Sequence, residues 1–471
     1  MIDFTISSFA PLLAVTTLSL IVLVVETLVK ESEEISYWTT IIGLIVSTVI
    51  SLAGLEQTGT AFNNMLTVGG YGNFFSALFM ISALLTVVLS RDYLQKMQSN
   101  FGEYYLLILF STLGMMLMAS ANDLIIVFLG LELMSICLYV LAGFIRKQHT
   151  ANESSLKYFL LGAFATGFLL YGIALIYGSS GTTNIPFIVQ NFAVLTSSSL
   201  FWAGIGLLIV GFAFKIGAVP FHMWVPDVYQ GSPTTISGFM STGAKAAAFS
   251  AFVLIFAHQF ENAQRLQTAL AVLAAASMIL GNIVAIAQTN IKRMLAYSSI
   301  AHAGYMLIGL AAGNHLGKSG ILFYLTSYMF MNIGAFGILS MLEQEGEKNL
   351  TFDDYAGLGS KKPFLAAMMS IFMLSLAGIP PFGGFFGKYY MFVSAINANL
   401  TWLAIIGVLT SVISLYYYLR LVMVMYFRET EIDIFASPAK LSYIVLTIAM
   451  LAVIQLGIFP SSLLSLINTL L

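Results

Sequence analysis

FKIGAVPFHMWVPDVYQGSPTTISGFMSTGAKAAAF, residues 214–249, places Lys215 and Lys245 in a stretch that is otherwise largely apolar and is interrupted by Gly217, Pro220, Pro226 and Pro233. Proline lacks a backbone N–H and clashes with the preceding turn, so the Gly217–Pro220 segment predicts a helix broken beside Lys215. The surrounding chain explains why such a break is informative. It has 471 residues, of which 59% are hydrophobic and only 8% charged, whereas a soluble domain carries roughly a quarter charged residues. A soluble globular protein is excluded. In a bilayer every backbone polar group must be paired internally, so this composition predicts an all-α polytopic membrane protein.

A helix needs about 20 mostly apolar residues to cross the hydrocarbon layer. Fourteen such segments are expected, over 4–28, 37–55, 72–90, 103–120, 123–144, 154–177, 199–229, 233–258, 267–288, 292–313, 319–342, 364–395, 401–427 and 441–460. The seventh and twelfth are too long and too rich in Gly and Pro to be single straight helices. The apolar stretch from Phe4 to Val25 follows Met1, Ile2 and Asp3 without a basic leader, which predicts a retained first span. With an even number of spans both termini lie on one side. That side carries only Arg265 and Lys318, against Lys30, Arg91, Lys96, Arg146, Lys147, Lys292, Arg293, Lys348, Lys361, Lys362, Arg428 and Lys440 on the other. Basic loops stay in the cytoplasm, so both termini are expected in the periplasm or its equivalent.

Other classes find no support. The net charge is −2, with no dense Lys/Arg patch to neutralise a phosphate backbone, which argues against nucleic acid. The lone Cys137 can form no intrachain disulfide. There is no histidine pair at metal-ligand spacing, no P-loop and no GxGxxG, so metal, nucleotide and flavin sites are not expected.

The segment GAVPF at Gly217–Phe221 echoes GIPPF at Gly378–Phe382, 161 residues later. That offset is about five helices, an odd number, so two copies would run through the membrane in opposite senses. Inverted repeats with a broken helix in each are a mark of transporters. Gly217 and Pro220 would form one break; Gly378, Pro380 and Pro381 the other.

Lys215, Lys245 and Lys388 lie well inside predicted spans, and Glu132 lies near the middle of the fifth. A charge at the bilayer centre costs roughly 2.5 to 3.5 kcal/mol on insertion scales, so such residues usually face protein or water and mark ion paths. A nearby carboxylate offsets that cost, and a movable one makes the lysine a proton site with two states. One glutamate cannot pair three central lysines statically. His302, mid-span in AYSSIAHAGYMLIGL, is placed to connect Lys245 with Lys388. His222, in the break after Lys215, is a further possible relay near neutral pH. Lys157 lies one turn into the sixth span and either snorkels outward or joins the row with Glu132. Arg420 is expected to snorkel, and His149, His258 and His315 to lie at span ends. Asp227 is expected to shape the turn between the seventh and eighth helices.

The opening stretch resembles the antiporter-like membrane subunits of proton-pumping NADH:quinone oxidoreductase, complex I. GLELMS upstream, IKRMLAYSSIAHAGYMLIG after it and LSLAGIPPFGGFFGKYYMF near the end share the likeness. It covers nearly the whole chain. PFHMWVPDVYQGSPT followed by Lys245 is similar to the N type, whereas the L and M types favour PxHTWLPDA. The resemblance implies fourteen helices with inverted repeats over helices 4–8 (101–258) and 9–13 (259–430), flanked by helices 1–3 (1–100) and helix 14 (431–471). It implies that Glu132 and Lys215 form a half-channel pair, with Lys245 as the connecting site, His302 in the central row and Lys388 on the exit side. It also implies that NADH, FMN, iron–sulfur clusters and quinone belong to partner subunits, with none bound here. M and K types would be the neighbours, with L, J, A and H types in the same arm of a bacterial inner-membrane complex. A subunit of a multisubunit Na⁺/H⁺ antiporter is the alternative reading, and a membrane scaffold without transport a third.

Overall fold

The computed structural model describes residues 9–257, 264–346, 348–429 and 439–471. His258 and the first five residues of the span expected over 4–28 lie outside them. The chain opens with α1 (Ala10–Leu28) and α2 (Glu33–Ala53), then a hairpin of β1 (Thr58–Ala61) and β2 (Leu66–Gly69). The strands pair antiparallel with Thr58 opposite Gly69. Next come α3 (Gly70–Lys96), α4 (Glu103–Ala119), α5 (Leu124–Ala142) and α6 (His149–Ser180). Two short helices, α7 (Ile185–Gln190) and α8 (Phe192–Leu195), precede α9 (Ser199–Ile216). After the first break stand α10 (Trp224–Gly231) and α11 (Thr234–Phe239), which runs through a π-helical turn, Met240–Ala244, into α12 (Lys245–Phe256).

The second half holds α13 (Gln264–Ile286), α14 (Ile291–Ala312), α15 (His315–Leu342) and the short α16 (Leu358–Lys361). It continues through α17 (Pro363–Ala377), a break, α18 (Gly383–Asn397), α19 (Thr401–Phe427), α20 (Lys440–Ile458) and α21 (Pro460–Leu470). Among the described residues, twelve helical segments are each long and apolar enough to cross a membrane. α4 and α17 are apolar but shorter. The hairpin, α7, α8 and α21 were not anticipated, because short amphipathic connections carry too few residues for a clear period.

Burial grades from the centre outward. Apolar windows in α3, α14, α15 and the Thr234–Phe256 run are 89 to 94% buried, whereas that of α1 is 28% buried. Apolar surface on outer helices needs no protein partner in lipid, so hydrophobicity alone cannot separate the two classes. Ionisable side chains are the more telling: Lys215, Lys245, His302 and Lys388 are all buried within the bundle.

The basic loops gather at one end of the bundle. Lys96 Nζ donates to the carbonyls of Ser340 (3.0 Å) and Met341 (3.4 Å), Lys292 Nζ to that of Ser232 (2.8 Å), and Arg428 Nη1 to Asp353 (2.7 Å). Each ties one of these connections to another.

Both breaks close alike. Gly217 (φ 73°) and Gly378 (φ 87°) end α9 and α17 in the left-handed region, where a Cβ would be strained. The next residue's N–H reaches back five positions, Ala218 to Ala213 O (2.8 Å) and Ile379 to Leu374 O (3.0 Å). This is a Schellman closure, which satisfies otherwise orphaned carbonyls.

Candidate proton-conducting row

Lys215 lies in the last turn of α9 and is 6% exposed. Its Nζ donates to Ser135 Oγ (2.7 Å) and Tyr139 OH (3.2 Å) on α5 and stands over the Tyr139 ring. Glu132 lies on the same face of α5, one turn before Ser135, close enough for its charge to act on Lys215. Among the described residues no ion pair joins them: the Ser135 and Tyr139 hydroxyls take the ammonium's bonds. Glu132 Oε1 is buried without a hydrogen-bond partner. The pair expected from sequence is therefore a carboxylate within electrostatic reach of an ammonium that is bonded to hydroxyls instead.

Lys245 opens α12 directly after the π turn and is 2% exposed. Its Nζ donates to the Ser299 carbonyl (2.6 Å) and to Ser299 Oγ on α14. His302, one turn further along α14, bridges two phenols: Nδ1 to Tyr324 OH (2.7 Å) and Nε2 to Tyr418 OH (3.0 Å). Tyr305, one turn further again, presents its ring 4.8 Å from Lys388 Nζ. Ser299, His302 and Tyr305 thus share one face of α14, with Lys245 at one end and Lys388 at the other.

Lys388 reaches back from α18 to the last carbonyl of α17, Ala377 O (2.8 Å), and to Ser411 Oγ (2.9 Å) on α19. A helix C-terminus carries partial negative charge, so the break places a favourable field at the ammonium. A cavity of about 310 Å³ adjoins it, lined by Gly378, Lys388, Tyr389 and Ser411 among others.

Two sequence readings change. Lys157 does not turn inward toward Glu132: its Nζ pairs with Glu153 (2.6 Å) and Asp227 (3.0 Å), half-exposed. Asp227 also binds Arg293 Nη1 (2.7 Å), so α6, α10 and α14 meet on one carboxylate. Burial pushes the Asp227 carboxyl up, but the hydrogen bonds and charges of Arg293 and Lys157 outweigh it and hold it below the usual carboxylate range. His222 is buried with Nδ1 unbonded and is not in the row. Between Lys215 and Ser299 stands an aromatic wall, with Tyr158 stacked on Trp224 at 4.5 Å and Trp224 edge-on to Tyr229. Arg420 lies over the Phe352 ring and donates to Gln288 O.

The hydroxyls that complete the row, Ser135, Tyr139, Ser299, Tyr324, Tyr418 and Ser411, were missed in the sequence reading. The spacing of Ser299, His302 and Tyr305, every third residue within an apolar span, was the available signal.

Residues 121–414 match the family described as NADH:quinone oxidoreductase/Mrp antiporter, TM. The chain is 47% identical over 435 residues to NADH-quinone oxidoreductase subunit N of Salinibacter ruber, covering 90% of this chain and 87% of that one. The chain belongs to the NADH-quinone oxidoreductase subunit N family. A second subunit N, from Trichlorobacter lovleyi, is 49% identical over 432 residues, with 91% and 88% coverage. Among solved structures, a chain of respiratory complex I from Thermus thermophilus with bound aureothin superposes with a TM-score of 0.85 at 35% identity, covering 97% and 98%. A chain of the Mrp complex from Dietzia sp. superposes equally well, 0.85, at 21% identity and 99% and 97% coverage. That likeness is one of fold, and the sequence places this member with subunit N rather than with the antiporter subunits.

Proposed function

We propose that this chain is a proton-translocating membrane subunit of a bacterial NADH-quinone oxidoreductase, moving protons along Glu132, Lys215, Lys245, His302 and Lys388. The observation that carries the proposal is the α14 face, where Ser299, His302 and Tyr305 join two buried lysines held by carbonyls and hydroxyls. A lysine without a carboxylate partner gains or loses a proton without breaking an ion pair. Hydroxyls and an imidazole accept and donate alike, so they pass a proton while keeping their bonds.

The aromatic wall supports a gated link between Lys215 and Lys245: Glu132 and Lys215 form a first compartment, and the α14 row a second. Motion of Glu132 about Ser135 alters the field at Lys215 and provides the coupling to redox chemistry elsewhere. Electron transfer from NADH through FMN and iron–sulfur clusters to quinone belongs to other subunits in this reading, and this chain contributes no redox centre. Its neighbours are M- and K-type membrane subunits, with L, J, A and H types in the same arm. The chain makes fourteen crossings in two inverted five-helix repeats, 101–258 and 259–430, with the basic end in the cytoplasm and both termini in the periplasm of a bacterial inner membrane.

The test is quinone reduction together with proton pumping in membranes carrying Lys215→Ala, with assembly checked on a native gel. A fall in both with an assembled complex is the expected result. Normal values for both would overturn the proposal.

A further inference from the structure

A buried carboxylate outside the row stands at the basic end. Glu343 follows the last residue of α15 and is 1% exposed. Thr234 Oγ1, at the start of α11, donates to its Oε2. The same residue's N–H donates to Tyr93 OH on α3 (3.2 Å). Half-buried Lys96 holds the α15 terminus through its carbonyls and lies within electrostatic reach of Glu343, connecting the site to the surface. Two buried hydroxyls in this region, Ser232 Oγ and Tyr355 OH, have no hydrogen-bond partner, and Tyr355 is within electrostatic reach of Glu343. Orphaned buried hydroxyls beside a carboxylate mark a place for water.

From Glu343 the polar groups continue inward between α3 and α11. Thr235 Oγ1 meets Tyr104 OH, which meets Ser90 Oγ, both at 2.8 Å. Ser90, Thr86 and Ser82 follow at successive turns of α3; the Ser90 and Thr86 hydroxyls donate to the Thr86 and Ser82 carbonyls (2.7 and 2.8 Å), and Ser82 Oγ meets Thr242 Oγ1 at 3.0 Å. These hydroxyls are four residues, about 6 Å of helix rise, apart on one face of α3, so water between them would complete the connection. From Ser90 to Ser82 the ladder covers roughly 12 Å of α3 and ends at Thr242 inside the π turn, three residues before Lys245. π turns inside helices are rare and cluster at functional positions.

We propose that Glu343 is the proton-loading carboxylate at the basic end, and that the hydroxyl ladder between α3 and α11 feeds protons from it to Lys245. The proposal rests on the proton-translocation reading above. Glu343 takes a proton from water and donates it toward the Thr234 hydroxyl. Each hydroxyl or bridging water accepts one proton and releases another to the next, returning to neutral, and the free amine of Lys245 accepts the last. One proton enters and one arrives, and no group along the way keeps a charge.

The experiment measures protons pumped per quinone reduced in the assembled complex in membranes. Glu343→Gln retains shape and hydrogen bonding but cannot ionise; it is expected to lower pumping by about a hundredfold, the lower end of the range for a lost acid–base group. Glu343→Asp restores most of it, as a merely structural role would not allow. Thr242→Val and Ser82→Ala lower it in the same direction, and they decide the matter if the Glu343 variants fail to assemble. Wild-type pumping in Glu343→Gln, equal losses in the Asp and Gln variants, or unchanged pumping in both hydroxyl variants would overturn the route. Lys215→Ala run alongside separates the two ideas. If it too pumps normally, the translocation reading itself fails; if it alone is impaired, only the Glu343 route falls.

Discussion

Lys215 Nζ lies 2.7 Å from Ser135 Oγ, and Ser135 stands one turn along α5 from Glu132. Because hydroxyls hold Lys215 and Glu132 acts on it only through its field, each can change protonation without breaking an ion pair. Ser135→Ala removes one of those hydroxyls and leaves the ammonium with Tyr139 alone. The variant, like Glu132→Ala, is expected to assemble and to pump about tenfold more slowly, equivalent to about 1.4 kcal/mol in the barrier. Proton uptake and quinone reduction measured on the same membranes check this, and normal pumping in the assembled variants would reject the arrangement.

Lys388→Met keeps the length of the side chain but removes the ammonium from Ala377 O and Ser411 Oγ. Pumping is expected to fall, with fewer protons moved per electron. An unchanged ratio would count against a path through the second half. Lys440→Ala, at the exposed start of α20, serves as the control that changes neither pumping nor assembly.

His302 is fixed by two phenols, so its ring is oriented before any proton reaches it. Tyr418→Phe frees Nε2, and Tyr324→Phe frees Nδ1. Each is expected to reduce pumping by a few-fold while the double variant approaches the loss in His302→Ala, because removing either bond breaks the same relay. Strict additivity of the two single losses would show that the phenols act independently of the imidazole.

The Asp227 carboxyl is held below the usual carboxylate range, so its two ion pairs contribute stability above the ordinary aspartate value, near 4, and lose it as pH falls through the lower folded value. Because the group is partly exposed, solvent screening keeps the effect to about 1 kcal/mol or less. The melting temperature of the solubilised complex should be lower in Asp227→Asn than in wild type at pH 7. The gap should close on acidification, and a gap independent of pH would contradict the charge account.

α4 and α5 cross at Gly114 and Gly130, where a Cβ on Gly114 would stand 2.5 Å from Gly130 O and Met134 N. No side-chain rotation relieves a contact with backbone, so Gly114→Val is expected to separate the helices and greatly reduce the amount of assembled complex. Gly167→Ala, which meets nothing within 4 Å on α6, should leave the amount unchanged.

Composition and apolar run length alone determined that this chain is a helical membrane protein, where most of its helices lie and that two of them are broken. Bilayer thickness and backbone satisfaction are local constraints, and each segment meets them by itself. The same reasoning singled out Lys215, Lys245, Lys388, Glu132 and His302, because a buried charge is conspicuous in an apolar span. Tertiary structure decided what each of them touches. Ser135 and Ser299 are ordinary serines in the sequence and become lysine partners only when α5 meets α9 and α14 meets α12. Lys157 and Asp227, 70 residues apart, pair because the first turns of α6 pack against α10. Glu343 stands beside Gln344 and Glu345 in the sequence with nothing to mark it, and its burial depends on α3, α11 and α15 converging there. A side chain's partner is set by distance in space, and in a bundle of antiparallel helices that distance bears little relation to separation along the chain.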